Sequence, residues 1–174
     1  MKQDTSSLLA VLGSRFNRES FMAKLNSDPS EFNEALEIAL GNYQPQSWRA
    51  AWILNHSTTK NDERLQASLA QFIANLSAKG DGHQREILKI LQKMDIPEDL
   101  EGTLFDKSVT IWEDIAKSPS VRMVAFKVLV KIAAHYPEMK NEISFLVQDH
   151  YLSSLSPGIR NSMLREVKKL EKIK

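Results

Sequence analysis

Apolar residues along this chain recur at helical rather than strand spacing. Leu65, Leu69, Phe72, Ile73 and Leu76 make one stripe, and Met139, Ile143, Leu146, Val147 and Tyr151 another, each stepping by three and four. No stretch of four or more residues alternates apolar and polar positions with β-branched enrichment, so strands are not expected. Turn chemistry falls where helices should begin. "DPSE" from residue 28 offers Asp28 as a cap, Pro29 in the first turn and Glu31 to complete a capping box. Ser118-Pro119 and Ser156-Pro157 repeat the cap-then-proline order, and Pro45, Pro97 and Pro137 mark further starts. The pattern predicts ten helices, at about 4–12, 16–26, 30–41, 46–57, 61–78, 82–94, 98–117, 119–135, 138–152 and 157–172.

One segment stands apart. "SPSVRMVAFKVLVKIAAHYPEM", residues 118–139, is apolar nearly all the way round, with Lys127, Lys131 and His135 recurring at intervals of four. A helix of that kind is covered on every side but one, and 120–134 is predicted to be the most buried of the chain. Sliding the sequence by 38 lays Ser118-Pro119 on Ser156-Pro157, Val121-Arg122 on Ile159-Arg160, Phe126 on Leu164 and Leu129 on Val167. The same slide in the other direction lays Phe126 on Leu88, Val128 on Ile90 and Ile132 on Met94. "PQSWRAAWIL" at 45–54 is a weaker copy, with Trp48-Arg49 in the place of Val121-Arg122. A repeat of this length with two helices per unit predicts an all-α fold: a right-handed α-α solenoid of about five stacked helix pairs, forming one domain over 1–174.

The stretches "SPSVRMVAFKVLVKIA" and "SPGIRNSMLREVKKL" resemble the second helix of a HEAT repeat, the armadillo/HEAT type of helical repeat, in which an apolar residue and an arginine open the helix after a short turn. The motif covers helix starts around Trp48, Gln84, Val121 and Ile159, and Ser-Pro stands where HEAT repeats favour an aspartate. The "RAAWIL" start and the lysine-ending last helix resemble a group of small bacterial HEAT-like proteins of unassigned function, some of which carry the name adenylosuccinate lyase. The chain is far too short for that lyase and lacks its signature of a serine pair followed by Met-Pro and a lysine.

Charge and composition narrow the functional classes. Lys plus Arg number 23 against 22 Asp plus Glu, a net charge of +1, well short of the basic excess of a dedicated nucleic-acid binder. Without cysteine the chain has no disulfide framework and no thiolate metal site, which fits a reducing compartment. In "MKQDTSSLLAVLGSRF" the apolar run Leu8 to Leu12 is too short for a secretory core or a membrane span, so a cytoplasmic, non-membrane protein is expected.

Catalytic motifs fail in turn. "GDGHQRE" at 80–86 begins like a dinucleotide loop but has Arg85 at the third glycine position and no strand before it. "EGTLFDKS" ends like a phosphate loop but has Glu101 and Asp106 at its glycine positions. His56, His83, His135 and His150 are scattered, without metal-site spacing, and no Gly-x-Ser-x-Gly elbow occurs. The paired carboxylates Glu113-Asp114 diverge by ~100° on a helix. No enzyme activity, metal, organic cofactor or small-molecule substrate is expected.

Three features remain. Trp48, Trp52 and His56 fall at i, i+4 and i+8 beside Asn55; they read either as core packing, the favoured reading, or as an aromatic platform for a partner. The segment "DIPEDLEGTLFD" carries Asp95, Glu98, Asp99, Glu101 and Asp106 without a base, as the macrodipole favours at a helix start. Shifting Lys127 and Lys131 by 38 gives Lys89 and Lys93 one way and Arg165 and Lys169 the other, a basic ladder on what would be a concave wall. The resulting expectation is a non-enzymatic interaction scaffold binding an acidic or amphipathic protein segment there; the alternative is a nucleic-acid-binding repeat protein using the ladder on phosphates.

Overall fold

The computed structural model describes residues 5–172 and is helical, with no strand among the described residues. Residue 4, the expected first residue of the opening helix, lies outside them. The chain divides into two compact units, Met1–Met94 and Asp95–Lys174.

The N-terminal unit contains α1 (Thr5–Gly13), α2 (Arg18–Ser27), α3 (Pro29–Leu40), α4 (Gln46–Ser57), α5 (Leu69–Asn75) and α6 (Asp81–Lys93). Its centre is α4, which packs against α1, α2, α3 and α6. Ala50, Ala51, Ile53 and Leu54 are wholly buried there, and the paired alanines let neighbouring helices approach closely. As the sequence predicts, Asp28 caps α3: its Oδ1 accepts from the Ser30 N–H at 2.9 Å, and Pro29 occupies the first turn. Glu31 pairs with Lys24. The helix expected over 61–78 is instead α5 flanked by 3₁₀ turns, Glu63–Ser68 and Leu76–Ala78. Its stripe of Leu65, Leu69, Phe72, Ile73 and Leu76 is buried as expected, so burial places the segment while the backbone tightens at both ends.

The C-terminal unit contains α7 (Glu98–Glu113), α8 (Pro119–Ala133), α9 (Lys140–Phe145), α10 (Asp149–Leu152) and α11 (Pro157–Glu171), with a 3₁₀ turn at Pro137–Met139. Its centre is α8, packed against α7, α9 and α11. Ten of the 15 residues of α8 are buried, more than in any other described helix, as its all-round apolar pattern requires. The Ser118 and Ser156 side chains do not cap their helices; the following prolines alone occupy the starts. The helix expected over 138–152 breaks because Gln148 is extended and the Trp112 indole donates to Leu146 O at 2.8 Å, taking the carbonyl that a continuing helix would use. The end of α8 at Ala133 also removes His135 from the expected exposed stripe, placing it in the following turn.

Candidate functional site

The repeat arginines show what the helix-opening motif does. Arg122 is 0 % exposed. Its Nε donates to Trp112 O at 2.9 Å, its two terminal nitrogens donate to Ser154 Oγ and Tyr151 O at 2.8 Å, and its guanidinium stacks over the Trp112 ring at 4.7 Å. Arg160 donates to Leu155 O and Ser153 O at 2.9 and 2.8 Å, and Arg49 to Leu12 O and Ser14 O at 2.7 and 3.0 Å. Gln84, at the equivalent place on α6, donates to Leu76 O at 3.0 Å. In each copy a planar donor group satisfies at least one carbonyl left at the end of an earlier helix or turn, and Arg122 reaches the later Tyr151 carbonyl as well.

The lysines of the expected ladder meet different fates. Glu86 is wholly buried, and its carboxylate accepts from Lys89 Nζ at 3.1 Å, Arg85 Nε at 2.9 Å and Asn55 Nδ2 at 3.1 Å. Lys89 and Arg85 thus balance a buried charge between them. Lys93 Nζ donates to Asn55 O and to Thr58 O, capping the end of α4, and burial lowers its pKa. On the C-terminal unit, Lys169 pairs with Glu166 at 3.1 Å and Lys131 is half-buried. Neither Lys127 nor Arg165 makes an ion pair among the described residues.

Trp48 and Trp52 are half-buried, each packing partly into the fold and leaving part of its ring open. The i, i+4 spacing places them on one face of α4, roughly opposite Ala50, where they and Arg49 line a cleft of about 210 Å³. Its remaining wall is Phe16, in the connection between α1 and α2, whose ring lies 6.5 Å from Trp52 and 5.0 Å from Phe21. His56 extends the row, its ring 4.5 Å from Trp52 and its Nδ1–H donating to Trp52 O at 2.8 Å. Trp48 Nε1 is buried and finds no acceptor among the described residues. The indole lies against the first turn of α6, where a Cβ on Gly82 would stand 3.3 Å from that nitrogen, so glycine permits the close approach.

Trp48 also borders a second cavity, of about 540 Å³, lined in part by Gln44, Lys79, Asp81 and His83. Lys79 Nζ donates to Leu40 O, Gly41 O and Asn42 Oδ1, capping α3, and burial lowers its pKa. His83 Nε2–H donates to Ala39 O at 2.9 Å and Nδ1 accepts from Gln44 Nε2 at 3.1 Å, the arrangement of a neutral ring. Burial lowers the His83 pKa to about 4. Lys79 and His83 therefore act on backbone, with no nucleophile–base pair between them. No group of three or more His, Asp or Glu side chains suited to a metal ion occurs among the described residues.

Phe16 and the capping functions of Lys79 and Lys93 escape sequence reasoning, because nothing local marks which distant carbonyl or ring a side chain will meet. The arginine repeat was the visible signal for Arg49, Arg122 and Arg160.

Helix pairs that begin with an apolar residue and a carbonyl-capping arginine define an all-α helical-repeat protein. A family model for the HEAT repeat domain matches residues 8–170, and the chain belongs to that family. HEAT repeats are generally protein-interaction scaffolds. No curated protein and no solved structure matches the chain. No helix among the described residues is long and apolar enough to cross a membrane.

Proposed function

We propose that the chain is a non-enzymatic scaffold that binds an acidic or amphipathic segment of a partner protein, with the Phe16, Trp48 and Trp52 cleft as its anchor on the N-terminal unit. The observation that carries this is the half-exposure of both tryptophans around a cleft beside an arginine, the composition typical of interface hot spots. Lys127 and Arg165 form a second, cationic contact on the C-terminal unit, the part of the basic ladder that makes no ion pair among the described residues.

Co-purification from the native cells tests this. A partner held by the wild type should fall at least about tenfold in yield with Trp52→Ala, the cost of losing one aromatic anchor. Undiminished capture by a folded Trp48→Ala/Trp52→Ala protein would discard the cleft. The nucleic-acid alternative is distinguished by heparin retention: salt-dependent retention abolished by Lys127→Glu/Arg165→Glu, with no protein partner captured, would favour it.

A further inference from the structure

An open groove of about 420 Å³ lies in the C-terminal unit between α7 and the segment that follows α8. Its apolar lining comes from Phe105, Ile132 and Met139. Around these stand the carboxylates of Glu98, Glu101, Asp106, Glu138 and Glu142, and no lysine or arginine lines the groove. The chain as a whole carries +1, so this is a local concentration of one sign. The helix dipole accounts for Glu98 and Glu101, which lie in the first turn of α7. It does not account for Asp106, beyond that turn, or for Glu138 and Glu142, which a different segment brings to the same groove.

The carboxylates are spread rather than convergent. Glu101 is 5 % exposed, and its two oxygens are already held, Oε1 by His135 Nδ1 at 2.9 Å and Oε2 by the Tyr136 hydroxyl at 2.6 Å. No metal-binding group forms there among the described residues. Phosphate-bearing partners, nucleic acid or an anionic membrane, would meet like charge. Apolar floor and acidic rim together complement a ligand that carries both an apolar side chain and several cations along its length.

We propose that this groove is a docking site for a basic amphipathic segment of a partner protein, its apolar side chain seated over Phe105 and Ile132 and its lysines or arginines against Glu98, Asp106, Glu138 and Glu142. Met139 gives the floor an adaptable wall, and long cationic side chains can lay their methylene stems on it while their heads reach the rim. This surface is separate from the aromatic cleft and selects the opposite charge.

Gly102 supplies a clean test. It lines the groove, and a Cβ there meets nothing within 4 Å, so Gly102→Phe fills the groove from its own wall without a clash in the fold. The probe is a fluorescein-labelled 12-residue peptide with two leucines at i, i+4 and four lysines or arginines, compared by anisotropy with its glutamate counterpart and with spermine as competitor. The basic peptide should bind, the acidic one should not, and binding should weaken with added salt. Gly102→Phe and, independently, Glu138→Lys/Glu142→Lys should each weaken it by at least about tenfold, with far-UV spectra unchanged. Absent binding, equal binding of the acidic peptide, equal competition by spermine, or undiminished binding to both variants would overturn the proposal. So would self-association of the wild type abolished by Gly102→Phe, which would make a second copy the occupant.

Discussion

Both units centre on a helix whose second-turn face is small or apolar and whose opening arginine caps distant carbonyls, Trp48-Arg49 on α4 and Val121-Arg122 on α8. Around α4 the cations are drawn inward. Lys79 and Lys93 cap helix ends, Lys89 and Arg85 balance the buried Glu86, and Arg64 pairs with Asp62 at 2.7 Å while stacking 4.0 Å over Phe32. The cleft beside α4 is lined by Phe16, Trp48 and Trp52 with Arg49. Around α8 the buried cation is Arg122, whereas Lys127 and Arg165 make no ion pair among the described residues and carboxylates gather at a groove. Lys93 and Lys131 are equivalent under the 38-residue shift, and Lys93 becomes a cap because the end of α4 brings carbonyls within its reach. Repeat position sets where a side chain starts; the neighbouring backbone decides what it does.

The largest expected effect that tests this contrast is acid sensitivity. His83 is held neutral in the folded N-terminal unit, with its pKa depressed to about 4, while the C-terminal unit has no buried histidine among the described residues. The unfolded chain therefore takes up this proton first: the stabilising difference is complete above about pH 6.5 and is lost progressively as the pH falls towards 4, by on the order of 2 to 3 kcal/mol. Urea-dependent hydrogen exchange resolved by mass spectrometry at pH 7 and 4.5 should show this loss in residues 5–94 and not in 95–172. His83→Gln keeps a donor and an acceptor and should flatten the dependence. Equal losses in the two units would break the contrast.

The elements that sequence reasoning found are those whose signals are local. Asp28-Pro29 caps α3 because both partners lie within two residues, and α8 is most buried because its own pattern leaves it no wide polar face. The fragmentation after Pro137 was not legible, since the Trp112 indole that takes the Leu146 carbonyl is 34 residues away. The ladder was legible as a register of cations, but the register does not contain Glu86, Asn55 and the end of α4, which engage Lys89 and Lys93. Trp48 and Trp52 were found by their spacing, but the cleft they line was not, because Phe16, which shapes it with them, lies 32 residues before Trp48 and outside any periodic pattern.

A smaller effect compares two lysines of the ladder, one in each unit. Lys93→Met leaves the Asn55 and Thr58 carbonyls without their donor, and should lower the urea-derived stability by ~1 to 2 kcal/mol. Lys127→Met removes a side chain without an ion pair among the described residues and should change stability by less than ~0.5 kcal/mol. Similar losses for both would mean that Lys127 also serves the fold, which would withdraw it from the proposed partner surface.

The smallest effect is at Trp48, where stability and binding should part company. Its Nε1–H is buried without an acceptor among the described residues, so the folded protein already bears the cost of that unmade bond. Trp48→Phe removes the donor along with some contact against the first turn of α6, and the two changes oppose each other. Thermal stability should then stay within ~0.5 kcal/mol of wild type, whereas the matching Trp112→Phe change discards a made bond to Leu146 O and should be clearly destabilising. If the Trp48 indole serves a partner, co-purification should fall in the folded Trp48→Phe protein while its melting curve does not move. A marked loss of stability would instead show that the indole holds α4 against α6, and the cleft would then rest on Phe16 and Trp52 alone.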